Sequence, residues 1–184
     1  MTGLKEVLNL PADQLHEAWD VYDRQLRVVG RQLRANPVTP GHYHLVVNAF
    51  VFNHQGQVLL QQRSLDKLNF PGYWDTSAGG AVKAGETIEA AMARELREEL
   101  GLAVPITAAD NYRLMPHSHW ISAWFAVTTD WTVSDFTPQL EELQRVAYFS
   151  LPAARQQLTQ IGFDNYHLEL QQAWAHLQLS AAQP

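Results

Sequence analysis

Cysteine is absent from all 184 residues, which removes disulfides, thiolate metal centres and cysteine nucleophiles and permits a reducing compartment. Long hydrophobic runs are missing as well. No stretch approaches the roughly 18 apolar residues of a membrane span. The opening MTGLKEVLNLPADQLHEAWD lacks the basic start and apolar run of a secretory signal, so a cytoplasmic protein with no membrane partner is expected. Positive charge is in deficit: 13 Lys and Arg stand against 19 Asp and Glu, a formal net charge of −6. That gives no electrostatic footprint for a long RNA or DNA, while leaving room for a mononucleotide. Repeats and low-complexity tracts are also lacking, and a 46% hydrophobic content suffices for one domain with a sizeable core.

What is present reads as one α/β unit. Two short segments, WDVYD and QLRVV within Trp19 to Val29, predict a hairpin, and the linker RANPVTPG after them holds two prolines and a glycine that exclude a regular element. HYHLVVNAFVFN and QVLLQQR, separated by His54-Gln55-Gly56, predict a strand pair rich in β-branched and aromatic residues. A loop with Phe70-Pro71-Gly72 leads to an expected strand from Trp74 to Ala81. Further strands are expected near Trp120 to Thr128 and Leu143 to Phe149. Ser150-Leu151-Pro152 reads as a helix start, and Asp164 as the opening of a last amphipathic helix with a buried stripe of Tyr166, Leu170, Ala173, Trp174 and Leu177.

The chemistry concentrates in Gly80 to Leu102, GAVKAGETIEAAMARELREELGL. Glu86 to Leu100 holds no proline or glycine and predicts a helix closed by Gly101. At about 100° per residue, Glu95, Glu98 and Glu99 share one arc, with Ala93, Leu96 and Leu100 on a neighbouring apolar one. Three carboxylates this close repel unless a hard cation lies among them, and oxygen-only ligands favour magnesium or manganese over zinc. A lone glutamate pair on a helix is more often a solvated face, so the full spacing decides. Glu86 and Arg94 read as an ion pair that supports the glycine turn, with Arg94 also one turn before Glu98 and placed to orient it; a direct phosphate contact is the alternative.

Gly80, five residues, Glu86, seven residues, Arg94-Glu95, an aliphatic residue, one residue, Glu98-Glu99, one residue, Gly101 and an aliphatic residue match the Nudix box at every position. The chain therefore resembles the Nudix hydrolases. The resemblance implies an α/β/α sandwich with a mixed sheet and, here, an N-terminal hairpin extension. The expected organisation is a single domain over 1–184, with a helix and hairpin extension over 1–41, a core over 42–158 and a C-terminal helix over 159–184. It implies hydrolysis of a small-molecule diphosphate, nucleoside or otherwise, with Mg2+ or Mn2+. Glu98 and Glu99 would be chiefly metal ligands, Glu95 a further ligand or the base, and the Gly80 carbonyl an added ligand. Glu142 is the candidate for the later glutamate that many of these enzymes bring to the metals, with Glu141 as its competitor. A homodimer is the assembly expected from the prevalence of twofold association.

QQRSLDKLNFPGYWDTSAGG adds a second resemblance, to the Nudix proteins related to isopentenyl-diphosphate isomerase, in which the residues matching Arg63 and Lys67 lie near the diphosphate. That makes Arg63 and Lys67 the substrate-phosphate candidates and isomerisation a rival function. The isomerase cysteine segment is replaced here by Gly79-Gly80-Ala81. His44 matches one isomerase histidine ligand, but the segment His117-Ser118-His119-Trp120-Ile121 holds no glutamate, so alkene protonation has no identified catalyst. A module that senses a nucleotide or sugar phosphate without turnover is the alternative outside enzymology. By strand alternation His42 and His44 would share one side, as would His117 and His119. Trp74, Trp120 and Trp124 are candidates for stacking on a base, though aromatic residues on strands are more often core.

Overall fold

The computed structural model describes residues 16–67, 70–159 and 165–182. An antiparallel hairpin, β1 (Ala18–Tyr22) and β2 (Val28–Leu33), precedes the main sheet. That sheet comprises β3 (His44–Phe52), β4 (Val58–Arg63), β5 (Trp74–Asp75), β6 (Ala78–Ala81), β7 (Asn111–Pro116), β8 (Trp120–Thr128) and β9 (Leu143–Phe149). Its main order is β5-β4-β3-β8-β7, with β6 pairing β3 and β9 pairing β4. β3 and β8 run parallel and the other pairings are antiparallel, so the sheet is mixed. Three helices complete the described fold: α1 (Ile88–Leu100), α2 (Leu151–Thr159) and α3 (Asn165–Ala181).

The alternation of strand side chains builds two cores, one on each face. Leu45, Val47, Ala49 and Val51 of β3 and Ile121, Ala123, Phe125 and Val127 of β8 pack with Met92, Leu96 and Leu100 of α1. On the opposite face, Phe50 and Phe52 of β3 and Trp124 and Ala126 of β8 pack with Ala154 and Leu158 of α2 and Leu170 and Ala173 of α3. The sandwich is thus α/β/α, as expected. Among the described residues no helix is long and apolar enough to cross a membrane.

Several boundaries differ from expectation for identifiable reasons. α1 starts at Ile88, because Thr87 is its N-cap and accepts from the Ala90 N–H at 3.2 Å, while the Glu86 carboxylate turns back to the Lys83 N–H. Its end is as read: Gly101 adopts φ 73°, and its N–H and that of Leu102 return to the carbonyls of Arg97 and Leu96. The buried arc of α1 includes Ala91 and Met92 with Leu96 and Leu100, whereas Ala93 is only half-buried. The segment Trp74 to Ala81 is two strands because it changes partners: Asp75 pairs with Gln61 of β4, and Ala78 with Ala49 of β3. At the crossing the Ser77 hydroxyl donates to the Leu59 carbonyl and accepts from the Val51 N–H, replacing ladder bonds. β2 begins three residues after QLRVV does, past a turn in which the Asp23 carboxylate accepts from the N–H groups of Gln25 and Arg27. β7 has no counterpart in the sequence reading. The stripe on α3 is as expected, whereas its proposed opening residue, Asp164, and the N-terminal helix ahead of His16 lie outside the described residues.

Candidate active site

Arg94 organises the charged end of α1. Its guanidinium donates to both carboxylate oxygens of Glu86 at 2.8 and 2.9 Å, to Glu95 at 2.7 Å, to Glu98 at 3.2 Å and to the Ala81 carbonyl at 3.0 Å. One side chain therefore ties the loop before α1, the end of β6 and two of the three glutamates together. Burial works against its charge, but the Glu86 and Glu95 carboxylates outweigh it and hold Arg94 protonated more firmly than usual. The bonds from Arg94, followed by the burial that opposes them, set Glu86 below the ordinary carboxylate range.

Glu95 and Glu99 lie deeper. Burial raises the pKa of Glu95 against the opposing charge of Arg94, and burial followed by the nearby Glu95 charge raises that of Glu99 well above the usual range. Glu99 accepts from the Gly79 N–H at 3.0 Å. Glu98 is the most exposed of the three. A Cβ at Gly80 would collide with the Glu95 carboxylate, so only glycine allows this backbone and this carboxylate to be neighbours. Among the described residues no three His, Asp or Glu side chains are drawn to ligating spacing, since Arg94 lies against Glu95 and Glu98. The donor chemistry nevertheless fits a hard divalent ion: carboxylate oxygens and a close glycine backbone, with two carboxylates whose burial is uncompensated by equal positive charge.

These residues border a cavity of about 340 Å³. Arg63 and Lys67 line it too, together with Glu142. Arg63 donates to Asp75 at 3.0 Å, and Lys67 pairs with Glu142. Glu141 is exposed, so of the two late glutamates it is Glu142 that reaches the cavity. The structure thus brings Gly80, Glu95, Glu98, Glu99, Arg63, Lys67 and Glu142 to one space, with Arg94 at its edge and Glu86 behind Arg94.

A second chamber of about 320 Å³ shares Arg34, Arg63, Gly79, Gly80 and Ala81 with the first. Parallel pairing sets His44 beside Trp120 and Asn48 beside Trp124, so His44, Val46 and Asn48 of β3 and Trp120, Ser122 and Trp124 of β8 line it together. The ring of His44 stacks on Trp19 at 4.0 Å, and that of His117 on Trp120 at 4.5 Å. The expected histidine pairs do not hold. His42 precedes β3 in a turn, and His117 and His119 lie in the β7–β8 turn rather than on a strand, with His117 turned to Ser122 and His119 exposed. Trp74 is not in the chamber but packs edge-on against Phe149. Sequence reasoning missed Trp19, Arg34, Gln61 and Tyr166 as lining residues. Trp19 was visible only as part of a hairpin.

Burial, followed by the charge of Arg34, pushes His44 down to about 4. The unfolded chain takes up that proton near its ordinary value of about 6.5, so stability is complete above that pH and is lost as pH falls toward 4. The full loss is about 3 kcal/mol. Urea unfolding of wild type and His44→Phe at pH 7 and pH 4.5 should show a shallower pH dependence in the variant. Equal dependence in both would mean that His44 is not buried as described.

The comparisons with known proteins agree with this geometry. The NUDIX domain model matches residues 42–169. A Nudix hydrolase of Listeria monocytogenes is 34% identical over 69% of this chain and 76% of its own length. An isopentenyl-diphosphate Delta-isomerase of Nocardia farcinica is 39% identical over a shorter region, 46% of this chain and 51% of its own. Among solved structures, a Deinococcus radiodurans protein superposes with a TM-score of 0.66 at 26% identity, covering 85% of this chain and 99% of its own. With the box running from β6 through α1 and its glutamates lining a common cavity, the chain belongs to the Nudix family and is a Nudix hydrolase.

Proposed function

We propose that the protein hydrolyses a diphosphate linked to an organic group, using Mg2+ or Mn2+, by attack of water on phosphorus. The observation that supports this most directly is one cavity lined both by Glu95, Glu98 and Glu99 and by Arg63 and Lys67. Nudix proteins generally use divalent metal ions. Such an ion, when bound, neutralises the diphosphate and makes its phosphorus more open to attack. Glu98 and Glu99 would hold it, with the Gly80 carbonyl and Glu142 as supplementary oxygen donors. Glu95 acts as a further ligand or as the base that takes the proton of the attacking water. Arg94 and Glu86 keep α1 and the preceding loop in register, and act through the glutamates rather than on substrate. Arg63 and Lys67 bind the diphosphate oxygens and hold the leaving group in line with the water. Without cysteine, the sequence offers no counterpart to the isomerase acid.

Release of phosphate or monophosphate from a panel of nucleoside diphosphate compounds, dinucleoside polyphosphates and isoprenoid diphosphates tests the reading. Activity should vanish with excess chelator and return with magnesium or manganese. An undiminished rate in chelator would remove the proposed mechanism, and no release from any member of the panel would leave a sensing module.

The phosphate assignment is separable. Arg63→Ala should cost about 1.5–3 kcal/mol in transition-state binding, the range for hydrogen bonds to a charged group. Lys67→Ala should cost less, because a lysine is a point charge without the planar fork of arginine. Equal kcat/KM in Arg63→Ala and wild type would return Arg63 to a purely structural partner of Asp75.

A further inference from the structure

The hairpin β1–β2 precedes residues 42–169, the segment that the family model matches. It nevertheless holds the loop between β6 and α1 at consecutive residues. That loop turns at Lys83–Glu86: the Glu86 N–H donates to the Lys83 carbonyl at 3.0 Å, and Gly85 takes φ 83° at the position where a type II turn needs glycine. Such a turn leaves its two central N–H groups without a partner of their own, and both go to β1. The Ala84 N–H donates to the Ala18 carbonyl at 2.9 Å, and the Gly85 N–H to the Asp20 carboxylate at 2.6 Å. Just before them, Lys83 Nζ lies 3.4 Å from Glu17. Asp20 is only 8% exposed, and its other oxygen accepts from Arg31 across the hairpin at 3.0 Å. The hairpin has its own anchor to the sheet, since Tyr22 and Tyr43 exchange backbone hydrogen bonds at 2.8 and 2.9 Å.

On the hydrolase reading above, we infer that Asp20 is a positioning residue for the reaction, acting from the hairpin through the turn at Gly85. The path from it to the cavity is a run of hydrogen bonds. Glu86, the last residue of the turn, accepts from Arg94 at 2.8 and 2.9 Å, and Arg94 in turn donates to Glu95 and Glu98. Asp20 therefore sets where the turn places Glu86, hence where Arg94 sits and how the two glutamates face the cavity. Asp20 does not line that cavity. Its influence falls on the chemical step and on the affinity for the ion, because a small displacement of a reacting group is costly in rate and the outer partners of ligating carboxylates tune their hold on a metal. Substrate affinity, which rests on Arg63 and Lys67 from another loop, is left in place.

The measurements are kcat and KM with magnesium on a diphosphate that the wild type cleaves, and the affinity for Mn2+ without substrate, read from the electron paramagnetic resonance of the free ion. Asp20→Ala should lower kcat by roughly 10-fold or more and weaken Mn2+ binding by about as much, with KM within about twofold of wild type. Asp20→Asn should recover most of both losses, since its amide oxygen still accepts from the Gly85 N–H and the exposed Arg31 side chain can turn aside. Asp23→Ala, whose lost backbone bonds lie within the hairpin turn, should match wild type. Circular dichroism checks that each variant is folded, and Asp20→Ser, too short to span to Gly85, serves if Asp20→Ala is not. Wild-type kcat or wild-type Mn2+ affinity in Asp20→Ala overturns the assignment, as does a loss that Asp20→Asn fails to recover or that Asp23→Ala shares. Failure of the hydrolase reading would appear separately, as no phosphate release by the wild type from any diphosphate, and the Mn2+ affinities would then decide the role of Asp20 alone.

Discussion

Glu98→Gln and Glu99→Gln should each lower kcat with magnesium by on the order of 10² or more, because each removes a full charge from the carboxylates facing the substrate cavity. The amide preserves shape, and at Glu99 its oxygen still accepts from the Gly79 N–H. The two substitutions differ in their effect on stability. Glu98 is substantially exposed, so its replacement should leave the unfolding midpoint close to wild type. Glu99 is buried, and its carboxyl is pushed far up because the ionised form is costly there. A neutral amide removes that cost, so in chelator Glu99→Gln should unfold at or above the wild-type midpoint while its activity collapses. Loss of function with retained or improved stability is the pattern of a group kept for chemistry rather than for the fold. Unchanged turnover in both variants would mean that the cation is held elsewhere. A fall in both activity and midpoint at Glu99 would instead make that residue structural.

The helix that carries these glutamates was legible because it depends on local rules: no proline or glycine interrupts it, Gly101 ends it in the left-handed region, and the 3.6-residue period separates Leu96 and Leu100 from Glu95 and Glu98, whereas the Thr87 cap that sets its start was not read. The strands β3 and β4 were legible from β-branched and aromatic runs, and β8 for the same reason. β7 was not. As NYRLMP on the sheet edge, only partly buried and ending in proline, it carries neither alternation nor an apolar run. The first chamber could be anticipated, since Arg94, Glu95, Glu98 and Glu99 sit on one helix, and Arg63 at the end of β4 and Lys67 just after it belong to one sequence motif. The second could not, because it depends on the parallel pairing that sets Trp120 beside His44 and on a hairpin that brings Trp19 against that histidine. Gln61 is a further example. A glutamine near a strand end reads as solvated, and only the mixed sheet, with β5 and β9 on either side of β4, makes it buried.

Gly80→Ala tests the closest approach in the site with a single methyl group. The backbone of β6 is held by its ladder to β3, where Gly80 pairs with Val47 and Gly79 with Asn48, so the strand yields less readily than a side chain. The added Cβ would land on the Glu95 carboxylate, which must turn away and give up its 2.7 Å bond from Arg94. Overpacking of this kind costs about 1–3 kcal/mol of stability. The catalytic cost should be larger, because displacing a catalytic group by about 1 Å is enough for on the order of 10²-fold in rate. Gly30→Ala is the matched control: nothing lies within 4 Å of a Cβ there, so rate and midpoint should both stay near wild type. If Gly80→Ala turns over at the wild-type rate with magnesium, the Glu95 carboxylate does not work from the place it occupies here. Its role as ligand or base would then pass to another group in the cavity, with Glu142 first in line.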